Sequence, residues 1–317
     1  MSEELNFLPV ILLGGPGTRL YPLSNKKITK PFVKLQLHGK SLLEDTIDKL
    51  HLLNNCQGDN LLLVMNESQQ LPTELSKFES CTLREPFSND TAVAVARVAK
   101  LLCSQPEKIV LFLPSDHHIP SKGINNFIED LREGLNLVSE DNIVLFGLEP
   151  SYPSTNYGYI LNTHDKVTFF EKPHVNKACE LIQQGSLWNA GIFACKIKTL
   201  LSAIPDNIFD WVNNPREGKA SSFDVSVLEK YSNLTLFKTR QWYWNDVGTW
   251  ETALPLMSYP DGTKLECSNT TIINPDNHEV VTIGCHNLLV VVNDGKIVII
   301  NRDKPYDNIL KKYASNL

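Results

Sequence analysis

Apolar residues recur along this chain in two rhythms. Short unbroken runs, LPVILL at 8–13, NLLLVM at 60–65, KIVLFL at 108–113 and IVLFG at 143–147, have the length and branched-chain content of strands buried on both faces. Between them the apolar positions fall at helical spacing. Leu42, Leu43, Ile47, Leu50 and Leu53 make one face of 41–53, and Ser41 with Glu44 matches a capping box at its start. TAVAVARVAKLLC at 91–103 predicts a helix whose small Ala and Val side chains pack close to a sheet, and a further helix is expected near 122–138. This alternation predicts an α/β domain with a mainly parallel sheet flanked by helices.

The rhythm changes after residue 150. Strands are expected around GYI and KVTFFEK within 157–172, at GIFACK (191–196) and at LTLFK (234–238). Helices are expected near 175–185, 197–204 and 224–231, giving a mixed sheet. Pro260–Gly262 is the expected boundary, dividing 1–262 from a β-rich segment at 263–317. That segment holds the short runs TTII, EVVTI, LLVVVN and KIVII, with Asn293-Asp294-Gly295 as a hairpin signal. It is too short for a core of its own. It is therefore expected to pack on the main domain or on a second copy, which makes a homodimer the expected assembly.

Composition narrows the function classes. The net charge of −6 disfavours nucleic acid as a partner. Residues 14–40, however, hold six basic residues (Arg19, Lys26, Lys27, Lys30, Lys34 and Lys40) and no acid. A solvated loop would account for a bare cluster of that kind, so the motif inside it decides. The seven cysteines are scattered without a CxxC pair, which argues against a zinc site or a disulfide framework and fits a reducing cytoplasm. No membrane span and no secretory signal are expected.

The glycine turn Gly14-Gly15-Pro16-Gly17 directly follows the first predicted strand, with Thr18 and Arg19 next. Beyond the carboxyl end of a parallel strand, such a turn lets backbone N–H groups approach an anion closely. Two look-alikes fail. A dinucleotide fingerprint from Gly15 would need glycine where Leu20 stands, and a P-loop ending at Gly39-Lys40-Ser41 would need glycine where Lys34 stands. On spacing alone, a tight structural turn and a phosphate cradle remain equal alternatives.

GGPGTRLYPLS at 14–24, with Lys30 and Phe32 following, resembles the signature of sugar-nucleotide nucleotidyltransferases. It is most similar to the bacterial-type mannose-1-phosphate guanylyltransferases, whose pattern runs GGxGTRLWPLSR…PKQFL. Further segments fall in that family's order: REPFSNDTA at 84–92, LFLPSDHHI at 111–119, NYGYI at 156–160, FFEKP at 169–173, WNAGIF at 188–193 and WNDVGTW at 244–250. The resemblance covers nearly the whole chain. It implies the family's Rossmann-like nucleotidyltransferase fold without the isomerase domain fused to some relatives.

The implied reaction is attack of a hexose-1-phosphate oxygen, from mannose-1-phosphate, on the α-phosphorus of GTP. It releases pyrophosphate and leaves GDP-mannose. The nucleophile is already an anion, so positioning, cations and Mg²⁺ carry the reaction rather than a general base. The resemblance assigns Leu13, Gly14, Gly15, Gly17, Thr18, Arg19, Glu85 and Asp116 to the nucleotide. Arg19 is for the departing pyrophosphate and Lys30 for the α-phosphate. Asp116 and Asp246 are implied as the metal ligands, and Gly158, Glu171, Lys172 and Asn189 as the sugar-phosphate contacts. His117 and His118, adjacent in sequence, point in different directions on most backbones and are expected to be structural. The base-reading segment departs from the family, with Ser88-Asn89-Asp90 where Gly-Arg-Asn is usual. Glu85 still offers acceptors for guanine. The same chemistry on another nucleotide or manno-type sugar, or a ligand-sensing subunit without turnover, stays open as an alternative.

Overall fold

A computed structural model describes residues 6–14, 17–25, 27–35, 39–53, 60–87, 90–163, 166–216, 220–257 and 262–317. By packing, the chain divides into two units, neither continuous in sequence. The first comprises 1–14, 47–115 and 119–244; the second comprises 15–46, 116–118 and 245–317. Helix α1 (Leu42–His51) runs across that division. The boundary expected at 260–262 falls inside the second unit, and Pro260 and Asp261 lie outside the described residues.

The first unit is built on one mixed sheet. Its strands are β1 (Phe7–Leu13), β2 (Leu62–Asn66), β3 (Thr82–Glu85), β4 (Ile109–Pro114), β5 (Ile143–Leu148), β6 (Tyr159–Asn162), β7 (Val167–Phe170), β8 (Leu187–Lys196) and β9 (Leu234–Lys238). The order is β3-β2-β1-β4-β8-β5-β9, with β6 on β8 and β7 on β6. From β3 to β4 neighbours are parallel, whereas β8 runs antiparallel to both β4 and β5. The run at 143–148 is buried at every position, as expected of a central strand covered on both faces.

One sheet face carries α2 (Asp90–Leu101). Its Ala92, Val93, Ala94, Val95, Ala96, Val98 and Ala99 are all buried, the close approach that small side chains allow. Helix α3 (Ser121–Leu135) approaches even more closely through two glycines. A Cβ at Gly123 would lie 2.0 Å from the Trp242 carbonyl oxygen, and one at Gly134 would lie 2.4 Å from the Phe146 ring. Helices α4 (Val175–Gln183), α5 (Ile197–Ala203) and α6 (Asp206–Asn213) complete the unit.

The second unit has its own core. Leu20, Tyr21, Leu23, Val33, Leu35 and Leu42 pack with Val247, Trp250, Ile273, Leu289, Val291, Ile300, Leu310 and Ala314. After α7 (Trp250–Ala253) come β10 (Thr263–Leu265), β11 (Thr271–Ile273), β12 (Val281–Ile283), β13 (Leu288–Asn293) and β14 (Lys296–Asn301). β10 pairs with β12 in parallel, and β13 lies between β11 and β14. The expected hairpin is present: Asn293 pairs with Lys296, and Asp294 and Gly295 both have positive φ, at 52° and 67°.

The tail is β-rich as expected and also carries α8 (Asp307–Ser315), which closes on Leu310 and Ala314. One expectation needs correction: the helix expected at 224–231 is a five-residue π turn, Asp224–Leu228. The short polar strand β3 and helix α6 lie in stretches for which the sequence predicts no element. In β3 no position is fully buried, so no apolar alternation marks it.

The glycine contacts of α3 predict that Gly123→Ala costs about 2–3 kcal/mol, because the new methyl meets buried backbone that cannot turn aside. Urea unfolding measures this, and a loss below about 0.5 kcal/mol would mean the helix sits farther from Trp242 than the structure places it.

Candidate functional site

In the second unit three distant stretches meet at one ammonium group. The Lys30 Nζ donates to Asp116 Oδ2 at 2.7 Å and to the backbone carbonyl of Asp246, also at 2.7 Å. Residues 116 and 246 reach the same point because His118 and Asn245 form an antiparallel bridge. The His118 N–H donates to the Asn245 carbonyl at 2.8 Å, and the Asn245 N–H donates back at 3.0 Å. His118 Nδ1 lies 3.1 Å from Asp45 Oδ2, so this histidine braces the bridge, the structural role expected for it.

The loop before Lys30 is shaped by Gly17. Its φ is 61°, and a Cβ there would lie 2.4 Å from the Lys30 Cβ. Glycine is thus required twice, for the left-handed conformation and for the approach. Its carbonyl accepts the Leu20 N–H at 3.0 Å, starting the 3₁₀ turn Thr18–Leu20 that carries Arg19. The Arg19 charge acts on Asp307 at the start of α8, whose carboxyl is nevertheless pushed above its ordinary range by burial and by Glu251. Gly14 has open space around it, and Leu13 is the last, buried residue of β1. Gly15 lies outside the described residues.

At the other side of Lys30, the Asn245 side chain accepts the Val247 N–H at 2.7 Å, so the Asx turn in this segment belongs to Asn245. Gly248 follows, where a Cβ would lie 2.4 Å from Asp246 Oδ2, so a side chain there would displace that carboxylate. Asp116 is held below the ordinary carboxylate range. Burial opposes its charge, but the Lys30 ammonium, His117 and the hydrogen bond from Lys30 together prevail. Asp116 and Asp246 offer hard oxygen donors, a ligand type that suits Mg²⁺. Among the described residues no group of three or more His, Cys, Asp or Glu comes together.

The first unit carries the other expected residues. Glu85 ends β3, with Oε1 3.8 Å from Arg97 Nε, and both atoms are buried without a hydrogen-bond partner. Burial raises the Glu85 carboxyl to about 7, although Arg97 pulls it down. Ser88 and Asn89 lie outside the described residues.

A second cluster gathers at β6, β7 and β8. The Asn189 N–H donates to the Gly158 carbonyl at 2.8 Å, and Glu171 pairs with Lys172. A Cβ at Gly158 would lie 2.6 Å from Phe169 and 3.0 Å from Glu171 Oε2, so this glycine keeps space in front of the carboxylate. Sequence reasoning missed Asp224, which accepts the Asn189 Nδ2–H at 3.1 Å. A lone acid inside an expected helix carried no signal. A cavity of about 480 Å³ in this unit is lined by Trp188, Arg240, Tyr243 and Trp244 among others.

A mannose-1-phosphate guanylyltransferase of Escherichia coli is 28% identical over 96% of this chain and 74% of its own length. The alginate biosynthesis protein AlgA of Pseudomonas putida is 28% identical over 94% of this chain and 69% of its own. Among solved structures, a Thermus thermophilus protein described as a mannose-1-phosphate geranyltransferase shares the fold. Its TM-score is 0.79 at 24% identity, over 98% of this chain and 99% of that one. The family model for nucleotidyl transferases matches residues 8–258. The chain therefore belongs to the nucleotidyl transferase family and is an enzyme of the transferase class.

Proposed function

We propose that this enzyme transfers GMP from GTP to mannose-1-phosphate, giving GDP-mannose and pyrophosphate. The observation that carries the reading is the Lys30 ammonium bound to both Asp116 and the Asp246 main chain. It joins a cation to two carboxylate-bearing residues from three separate motifs. In this reading Asp116 and Asp246 hold Mg²⁺, which when bound offsets phosphate charge. Lys30 exchanges part of its bonding to Asp116 for an α-phosphate oxygen, and the forked donors of Arg19 take the departing pyrophosphate. Leu13, Gly14, Gly15, Gly17 and Thr18 are the nucleotide-phosphate contacts in this reading. Glu85 accepts from the guanine N–H groups, while Gly158, Glu171, Lys172 and Asn189 hold the sugar phosphate. The nucleophile brings its own charge, so orientation and charge cancellation are the work left to the protein.

The reading extends to setting. All described cysteines are free, which supports a reducing cytoplasm, and no helix among the described residues is long and apolar enough to cross a membrane. Ile283, Ile297 and Ile299 are exposed in the C-terminal strands, which supports the expected homodimer.

Pyrophosphate release, measured with Mg²⁺ across a panel of nucleoside triphosphates and sugar-1-phosphates, tests the assignment. GTP with mannose-1-phosphate is expected to turn over fastest. A faster pair redirects the substrate assignment, and nucleotide binding with no turnover on any pair supports a sensor instead. In the same assay Asp246→Asn should lower turnover by about a hundredfold or more with an unchanged melting point. Lys30 bonds the main chain at that residue, so the substitution leaves its anchor in place. Near-normal activity would remove Asp246 from the metal site.

Glu85 generates a pH prediction. Only its ionised form accepts both guanine donors, and in the free protein half of it is ionised near pH 7. The KM for GTP should therefore fall about tenfold from pH 6 to pH 8 and level off above. Glu85→Gln should raise KM and flatten this fall. An equal slope in the variant would assign the titration elsewhere, for example to the triphosphate itself.

A further inference from the structure

Asp224 is a half-buried acid in a place where stability alone gives no reason for one. It opens the π turn, and single π turns are frequent at functional positions. Its location is rigidly set. The Phe223 N–H donates to Thr91 Oγ1 at 2.9 Å. The Phe223 ring stacks on Phe193 at 4.6 Å and 12°, and Phe193 stacks on Phe112 at the same distance and angle. The start of the turn is thereby tied to α2, β8 and β4.

The carboxylate addresses Asn189, whose amide has only one possible orientation. Asn189 Oδ1 accepts the Gly191 N–H at 3.1 Å, and a backbone N–H can only donate. The amino end must therefore face Asp224, where Nδ2 donates to Oδ1 at 3.1 Å. Glu171 and Asp90 add negative charge around Asp224, and Lys172 opposes them. With burial as the main cause, the acid is raised to about 7. Either protonation state keeps an acceptor for Asn189. A half-buried acid beside a second carboxylate weakens the fold, and such local violations concentrate at functional sites.

We propose that Asp224 is a positioning residue for the sugar phosphate: it fixes the Asn189 amide so that the remaining N–H is presented to a ring hydroxyl of the substrate. The proposal rests on the reading of Asn189 as a sugar contact, and the experiment separates the two. Steady-state KM values for the sugar-1-phosphate and the triphosphate are measured for Asn189→Ala, Asp224→Leu, Asp224→Asn and the Asn189→Ala/Asp224→Leu double variant, each with its melting curve.

Leucine fills the same space without an acceptor, whereas asparagine keeps one. Asp224→Leu should raise the sugar-phosphate KM about tenfold and leave the triphosphate KM within about twofold. Asp224→Asn should stay within about twofold of the wild type for both, and the double variant should be no worse than Asn189→Ala alone. If Asp224→Leu gives no cooperative melt, Asp224→Ala takes its place in the series. An unchanged sugar-phosphate KM in Asp224→Leu, equal impairment in Asp224→Asn, or additive effects in the double variant would each overturn the proposal. An unchanged KM in Asn189→Ala would overturn the sugar reading of Asn189 itself.

Discussion

The second unit depends on one half-buried ion pair. Lys30 and Asp116 keep only 11% and 22% of their side-chain surface exposed, so each would be costly to bury alone. Together they are tolerable, and the Lys30 bond to the Asp246 carbonyl draws a third stretch of chain to the same point. That third bond goes to main chain rather than to the Asp246 carboxylate. The arrangement thus fixes the position of a second acid through its backbone. The Gly17 turn packs directly on Lys30, so loop shape and charge placement form one constraint.

The three shifted acids at the candidate site are tuned in opposite directions. Asp116, next to an ammonium, is kept ionised through neutral pH and below. Glu85 and Asp224, desolvated with weaker compensation, are raised to about 7. These settings suit the chemistry proposed for each. A metal ligand must be charged before its cation arrives, whereas an acid reading hydrogen-bond donors can take its charge when the ligand supplies them.

Legibility in the sequence followed burial and local spacing. The buried strands at 8–13, 108–113 and 143–147 and the Ala/Val helix α2 announced themselves, because one periodicity governs each. β3 did not, since a polar edge strand shows no alternation, and α8 was hidden among charged residues. The glycine turn, Lys30 and the two aspartates were found through their motifs. That Asp116 and Asp246 converge is a long-range fact set by the His118–Asn245 bridge, and no spacing rule encodes it. Asp224 escaped for the same reason: its meaning lies in a hydrogen bond to a residue 35 positions away.

The discontinuity of the second unit has a consequence for biosynthesis. Leu20, Tyr21, Leu23 and Val33 share a core with Val247, Trp250, Leu289 and Leu310, residues made more than 200 positions later. At ribosomal rates of about 5–20 residues per second, these early side chains wait on the order of ten seconds or more for their partners. During that interval the first unit can begin to assemble around its sheet, while Leu20, Tyr21, Leu23 and Val33 still lack the later half of their core. The loop that carries Arg19 and Lys30 is then among the last parts of the enzyme to acquire its shape.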